Sequence, residues 1–400
     1  MNRKEKLNWL RSFAVKELND DILPFWREKS VDSERGGFYG EIDFNMNIQY
    51  NEPKGLILNA RILWSFSAAY PLTKEPKDLE LAHRAFNYLV NNFYDQKYGG
   101  YYWSLDSDGK PHDTKKQIYA LAFTLYGFSE YYKITQNTEA LERCKDIFHT
   151  IEKYAFDTKL NGYIEAFTRE WEEIEDLRLS DIDMNEKKTM NTHLHIVEAY
   201  ANLFLVWKDE RLKKQLENLV NIFTDIIISR DDYHLYLFFD ENWVNKSTAI
   251  SYGHDIEAGW LIHESALIHG SKELIKLAEE LVPKITDASL QGLSELGGLY
   301  HEGDRAGKHI DEQLEWWPQA EALVGLLNTY EITGDEKYLD FAIQVARFSE
   351  EYMVDKNHGE WHYRVDKNGK PLETYPKAGF WKCPYHNSRA CIELIKRIVV

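Results

Sequence analysis

The sequence predicts an all-α protein, a single (α/α)6 barrel of six inner and six outer helices with short β-hairpins in the connecting loops. Three observations carry this. A phrase of glycine followed by aromatic residues recurs along the chain. About twelve segments between its copies place apolar residues at i, i+3, i+4 and i+7, the period of an amphipathic helix. The first helix lacks a preceding partner and the last a following one, so the two ends are expected to pair and close a ring.

The recurrent phrase reads Gly36-Gly-Phe-Tyr-Gly40, Gly99-Gly-Tyr-Tyr-Trp103, Gly162-Tyr-Ile-Glu165, Gly297-Gly-Leu-Tyr300 and Gly359-Glu-Trp-His-Tyr363. A degenerate copy without glycine, His234-Leu-Tyr-Leu-Phe-Phe-Asp240, fills the gap, and successive copies start roughly 62 to 72 residues apart. Turn pairs such as Asp108-Gly109 and Asn368-Gly369 follow several copies, which marks small hairpins. The helical segments lie at 3–26, 55–70, 78–94, 115–134, 138–156, 190–207, 210–229, 254–270, 272–289, 316–333, 336–354 and 385–398. An open solenoid of the same repeat needs polar capping ends, and the end segments here are as apolar as the middle ones. With 10 Pro and 22 Gly and no linker-like stretch, residues 1–400 read as one catalytic domain.

Composition narrows the partners. Lys plus Arg number 48 against 66 Asp plus Glu, a formal charge of -18, which repels phosphate backbones and anionic membranes. A neutral sugar pays no such penalty. No window approaches the ~18 apolar residues of a membrane span, and the start of the chain has no apolar core of signal-peptide length, so the expected compartment is the cytoplasm. Cys144, Cys383 and Cys391 lack metal-ligand spacing, and their odd number argues against a disulfide framework. Nothing calls for a nucleic-acid partner, and a monomer is the default expectation. The aromatic content, 14% of the chain, suits both a core and a sugar site, because flat rings cover the C–H face of a pyranose.

Alternate helices begin with residues that a buried helix does not need. These are Asn59 and Arg61, then Gln117 and Tyr119, then Asn191 and His195, then His254 and Glu257, then Trp317 and Glu321, and finally Trp381 with His386. Inner helices of a ring run parallel, so their N-termini gather at one mouth and the six sets converge. Asn191/His195 and Trp317/Glu321 are i, i+4 pairs and His254/Glu257 is i, i+3, so each pair shares a face. Pro318 in a first helical turn fits a true N-terminus. Each residue also has a plainer reading: Arg61 pairing with a carboxylate, the tryptophans as core, the glutamates as caps. A metal site built on His193 and His195 is disfavoured, since i and i+2 point about 200° apart on a helix; His193 reads as a buried structural residue. Dinucleotide, P-loop and nucleophile-elbow signatures are absent from the sequence.

These motifs resemble the N-acylglucosamine 2-epimerase superfamily and, within it, the cellobiose 2-epimerase branch. The resemblance runs nearly end to end. It includes Ile22-Leu-Pro-Phe-Trp26, Lys54-Gly-Leu-Ile-Leu-Asn-Ala-Arg-Ile-Leu-Trp64, Lys188-Thr-Met-Asn-Thr-His-Leu-His195, Ser251-Tyr-Gly-His-Asp-Ile-Glu257 and Trp381-Lys-Cys-Pro-Tyr-His-Asn387. It implies an (α/α)6 barrel without metal or organic cofactor that epimerises C2 of the reducing-end sugar of β-1,4-linked disaccharides. Related branches act on N-acetylglucosamine or mannose, or interconvert aldoses and ketoses. By position, the resemblance makes His254 and His386 the acid/base pair, places Arg61 and His195 against the reacting sugar, gives Asn191, Glu257 and Glu321 supporting roles, and stacks the disaccharide on Trp317 and Trp381. Tyr119 and Gln117 rest on their phase in the repeat. The acidic loop 172–187 is where members vary.

Inverting C2 requires ring opening, removal of the C2 proton, an enediolate, and reprotonation on the other face, a task suited to two opposed histidines. Arg61 and a neutral His195 donor are expected to stabilise the enediolate oxygens, and Glu257 to orient His254. Two other readings are an (α/α)6 glycoside hydrolase using Glu257 and Glu321 and a carbohydrate-binding scaffold.

Overall fold

Thirteen helical runs build the ring in a computed structural model that describes residues 1–307 and 311–399. They are α1 (Arg3–Lys16), α2 (Leu23–Lys29), α3 (Leu56–Thr73), α4 (Pro76–Tyr88), α5 (Ile118–Thr135), α6 (Thr138–Tyr154), α7 (Met190–Val206), α8 (Glu210–Ile222), α9 (Tyr252–His269), α10 (Lys272–Ser289), α11 (Trp316–Thr333), α12 (Lys337–Phe348) and α13 (Tyr385–Arg397). The odd-numbered helices from α3 to α13 form the inner ring, each packed on the next, and α13 returns to α3. The outer helices lie behind them, with α1 filling the gap against α12 and α13. The fold is therefore the closed (α/α)6 barrel, and its termini pair as the sequence predicted. The expected single helix 3–26 is interrupted: α1 passes through a wider π-helical turn at Glu17–Ile22 before α2.

The two rings differ in how their sequences repeat. In α3 every residue from Leu56 to Ala69 is buried, because both faces of an inner helix meet protein. In α8 the buried positions Leu212, Leu216, Leu219 and Val220 make one stripe, and the other face is charged. Outer helices start on side-chain caps, as at Asn137, Asp209 and Ser271, which meet N–H groups that the first turn leaves unpaired. The inner helices from α3 to α11 start instead from short strands.

Each glycine–aromatic phrase closes a tight bridge onto the end of the preceding outer helix, as in Val31 with Phe38, Tyr94 with Tyr101 and Val354 with Trp361. Its glycines occupy left-handed backbone: φ is 81° and 62° at Gly36 and Gly37, and 73° and 68° at Gly99 and Gly100. In the degenerate fourth copy, Tyr233 itself adopts φ 62°, which explains how that copy dispenses with glycine. The hairpins that follow do more than fold back on themselves. The strand Ser104–Leu105 pairs with Lys54–Gly55 of the previous repeat, and Ala166–Phe167, Phe238–Phe239, Glu302–Asp304 and Arg364–Val365 pair likewise with the strands that lead into α5, α7, α9 and α11. The Ile42–Ala378 bridge closes this second ring. The mouth of the barrel is thus laced repeat to repeat, which fixes where each inner helix begins.

A buried ion pair repeats with it. Lys54 meets Asp32 at 2.7 Å, Lys116 meets Asp95 at 3.0 Å, Lys188 meets Asp157 at 3.0 Å and Lys377 meets Asp355 at 2.8 Å. The same aspartates accept backbone N–H bonds from Arg35, Lys97, Lys159 and Asn357, so each carboxylate holds its bridge turn while binding its lysine. Pairs this well hydrogen-bonded offset much of their desolvation cost.

His193 is the structural residue the sequence suggested. The Tyr163 N–H donates to Nε2 at 2.9 Å, so Nδ1 carries the proton and donates to the Thr189 carbonyl at 2.6 Å. Burial pushes this imidazole down to about 4. An unfolded chain protonates near ~6.5. His193 therefore lends stability above that value, and the contribution is lost as pH falls from ~6.5 through about 4. The loss amounts to ~3 kcal/mol. Urea unfolding at pH 7 and pH 4.5 should show the native protein losing more stability between the two than His193→Gln does.

Candidate functional site

The N-termini of the inner helices surround a cleft of about 330 Å³. Of the residues the sequence nominated, Arg61, Tyr119, Asn191, His195, His254, Glu257, Trp317, Trp381 and His386 line it. Glu321 stands behind His386. Gln117 does not reach the cleft: its amide donates to the Leu177 carbonyl at 3.0 Å and anchors the 172–187 loop. That loop brings Leu179, Ser180 and Asp183 to the cleft wall.

His254 and His386 both pack on Trp317, with ring centroids 4.6 and 5.7 Å from the indole. Each sits in the first turn of its helix, where the macrodipole disfavours a cation. Burial pushes His254 well below the ordinary histidine range. It also takes His386 down to about 3, against the pull of Glu321. Both imidazoles are neutral at neutral pH. Their partners differ. His386 Nδ1 donates to Glu321 Oε1 at 2.6 Å, leaving Nε2 with a lone pair, whereas His254 Nδ1 meets the neutral Ser251 hydroxyl at 2.7 Å.

This corrects the role expected of Glu257. The i, i+3 spacing places it on the right face, but its Oε1 binds Arg389 Nη2 at 2.6 Å and lies 3.9 Å from His386 Nδ1. Glu257 orients neither catalytic candidate directly. Burial and the neighbouring Glu321 push its carboxyl well up, so it stays protonated. Burial opposes ionisation of Glu321 too, but Arg389 and His386 outweigh it and hold that carboxyl down to about 2.

Arg61 settles its own alternatives. No carboxylate pairs with it among the described residues. Nη2 donates to the Tyr119 hydroxyl at 2.7 Å, and the guanidinium lies 4.1 Å from the Phe123 ring centroid and 5.1 Å from that of Tyr385. Its Nε has no hydrogen-bond partner among the described residues. A buried cation held by π faces, a phenol and the Cys383 sulfur, 3.9 Å from Nη1, keeps its charge available to an anion in the cleft. Asn191 presents at the same wall an Oδ1 with no hydrogen-bond partner among the described residues. Trp381 is half-buried beside Tyr119 and Trp103, the exposure expected of a platform for a sugar ring. Trp317 is more enclosed than a stacking platform: its ring fills the space beside Gly253 and supports the two histidines. Asp255 faces away, bound to His234 at 2.7 Å.

Sequence reasoning missed several residues. Arg389, one turn beyond His386, donates to Glu198 at 2.5 Å, Glu257 at 2.6 Å and Glu321 at 2.7 Å. Glu198, one turn beyond His195, accepts from that imidazole and from Tyr385. A charged residue at i+3 from each candidate histidine was the available signal. His301, Glu315 and Arg364 also line the cleft, with Arg364 paired to Glu315 and Asp311. Cross-strand register between repeats brings Glu315 to Arg364, which no local spacing reveals.

Glu257, Glu321 and His386 are the trio, among the described residues, whose ligand atoms all lie within 4.8 Å of one another. The cationic Arg389 Nη2 already bonds both carboxylates, so the arrangement fits a guanidinium better than an added cation. The same geometry disposes of the hydrolase reading, since two carboxylates converging on one nitrogen behind His386 cannot flank a glycosidic bond.

Residues 37–390 match the family described as N-acylglucosamine 2-epimerase (GlcNAc 2-epimerase). The chain belongs to this family. It is an isomerase, a carbohydrate 2-epimerase. A cellobiose 2-epimerase of Bacteroides fragilis is 50% identical over 96% of this chain and 98% of its own length. One from Dictyoglomus turgidum is 39% identical over 98% of this chain and all of its own. The solved cellobiose 2-epimerase of Bacillus thermoamylovorans superposes with a TM-score of 0.91 at 38% identity, covering 98% of this chain and 99% of that one. No helix of the 2-epimerase is long and apolar enough to cross a membrane, among the described residues.

Proposed function

We propose that this cleft epimerises C2 of the reducing-end aldose of β-1,4-linked disaccharides, converting cellobiose to glucosyl-mannose and lactose to epilactose. The observation that carries the proposal is the seating of His254 and His386 on one indole, beside the unpaired Arg61 guanidinium. The Bacteroides fragilis relative supports cellobiose as substrate.

Ring opening exposes a C1 carbonyl that acidifies the C2 proton. One neutral imidazole removes that proton, the electron pair enters a C1–C2 enediolate, and the oxygen charge faces Arg61. The other histidine, which takes up one proton from solvent as the sugar binds, returns it to the opposite face and is left neutral while the first is left protonated, and the roles exchange in the reverse direction. An imidazolium formed at His386 keeps Glu321 as its counter-ion through Nδ1, while Ser251 gives His254 only a neutral partner. Trp381 and the wall around Asn191 are placed to hold the second sugar ring.

The test is incubation of the EDTA-treated protein with cellobiose in D2O, followed by proton NMR. Glucosyl-mannose carrying deuterium at C2 is expected. Free glucose would replace this reading with hydrolysis. Turnover of N-acetylglucosamine or mannose with cellobiose untouched would move the chain to a sister branch.

A further inference from the structure

We infer that Glu198 is a positioning residue that fixes the polarity of His195, making its Nε2 a hydrogen-bond acceptor toward the sugar rather than a donor. His195 Nδ1 lies 2.5 Å from Glu198 Oε1. The other oxygen of Glu198 accepts from the Tyr385 hydroxyl at 2.6 Å and from Arg389 Nη1 at 2.5 Å. All four side chains are buried. Burial raises the Glu198 carboxyl, but the guanidinium and phenol that claim one of its oxygens oppose this and keep it ionised at neutral pH, and an ionised carboxylate only accepts. The proton on that side therefore belongs to His195 Nδ1.

Burial, with Arg61 and Arg389 nearby, holds the imidazole well below its usual range, so it is neutral and has one N–H to give. That N–H is spent on Glu198. Among the described residues no protein group donates to Nε2, which faces the cleft. A sugar hydroxyl approaching it must donate. This reverses the donor role that the mechanism led us to expect of His195 and leaves Arg61 as the donor to the enediolate. The arrangement also discriminates, because a ligand presenting only an acceptor there meets a lone pair.

Glutamine at this position has one oxygen for two claims. Arg389 and Tyr385 take it, the amide N–H turns to His195 Nδ1, and the imidazole must switch to the Nε2–H tautomer. The test is nitrogen-15 NMR of histidine-labelled protein without sugar, with His195 assigned from the spectrum of His195→Asn. The native protein should show the Nδ1–H tautomer, Glu198→Gln the Nε2–H tautomer, and Glu198→Asp the native one. In parallel, KM for cellobiose should rise about tenfold in Glu198→Gln, the worth of one hydrogen bond, with kcat changed less. A native Nε2–H signature overturns the inference, as does an unchanged tautomer in Glu198→Gln. Should Glu198→Gln not fold, the native spectrum alone decides. The kinetic half rests on the proposed epimerase reading. An Nδ1–H tautomer in a protein that leaves cellobiose unchanged would overturn that reading and leave this one standing.

Discussion

Alanine at either His254 or His386 should lower cellobiose epimerisation by at least ~10²-fold, the usual worth of a positioned acid or base, with little change in the unfolding midpoint. Each imidazole borders the cleft, so its removal opens space toward water and leaves the packed core intact. The two sites should respond differently to loss of their partners. Glu321→Gln removes the counter-ion of His386 and breaks a bond to Arg389, so a loss approaching that of His386→Ala is expected. Ser251→Ala removes only a neutral hydroxyl from His254, and a drop of about tenfold or less should follow. Initial rates of product formation, with circular dichroism to check folding, measure all four. Near-native turnover in either alanine variant would end the two-histidine mechanism.

The largest stability effect should come from Arg389. This guanidinium binds Glu198, Glu257 and Glu321 in the centre of the inner ring. Arg389→Met keeps the volume and removes the charge, leaving the Glu198 and Glu321 carboxylates uncompensated beside the protonated Glu257, in a medium that solvates them poorly. A loss of about 3–5 kcal/mol is expected, as for other broken buried pairs. The sign with pH provides the check. Without the cation Glu321, now held low, rises with its already raised neighbours Glu198 and Glu257, so the deficit should shrink as pH falls and they protonate. Urea unfolding from pH 7.5 to 5.5 measures it; a deficit that stays constant or grows on acidification would show that Arg389 acts by packing alone. Turnover should fall with stability, since Arg389 links the supports of both His195 and His386.

The barrel was legible because two kinds of period coincide. The glycine–aromatic phrase marks obligatory left-handed backbone at Gly36, Gly99 and their counterparts, and the apolar spacing between copies marks helices. Ring closure followed from the unpartnered ends, and α13 does pack on α3. The buried lysine–aspartate pairs were equally periodic yet went unread. Lys54 and Asp32 are 22 residues apart, and a charged residue at the edge of a helix looks solvated until the fold buries it.

The sequence by itself determined the ring, the mouth at which Arg61, His195, His254, Trp381 and His386 gather, and the family. These depend on repeat phase and helix direction, which are properties of local sequence. Only the tertiary structure decided the partners: Ser251 rather than Glu257 on His254, Glu321 on His386, Glu198 on His195, no carboxylate on Arg61 among the described residues, and Arg389 at the centre. The physical reason is that a helix face fixes only the direction in which a side chain leaves the axis. Several carboxylates then lie within reach of several cations, and the choice among them is made by ångström-scale distances between helices that are far apart in the chain.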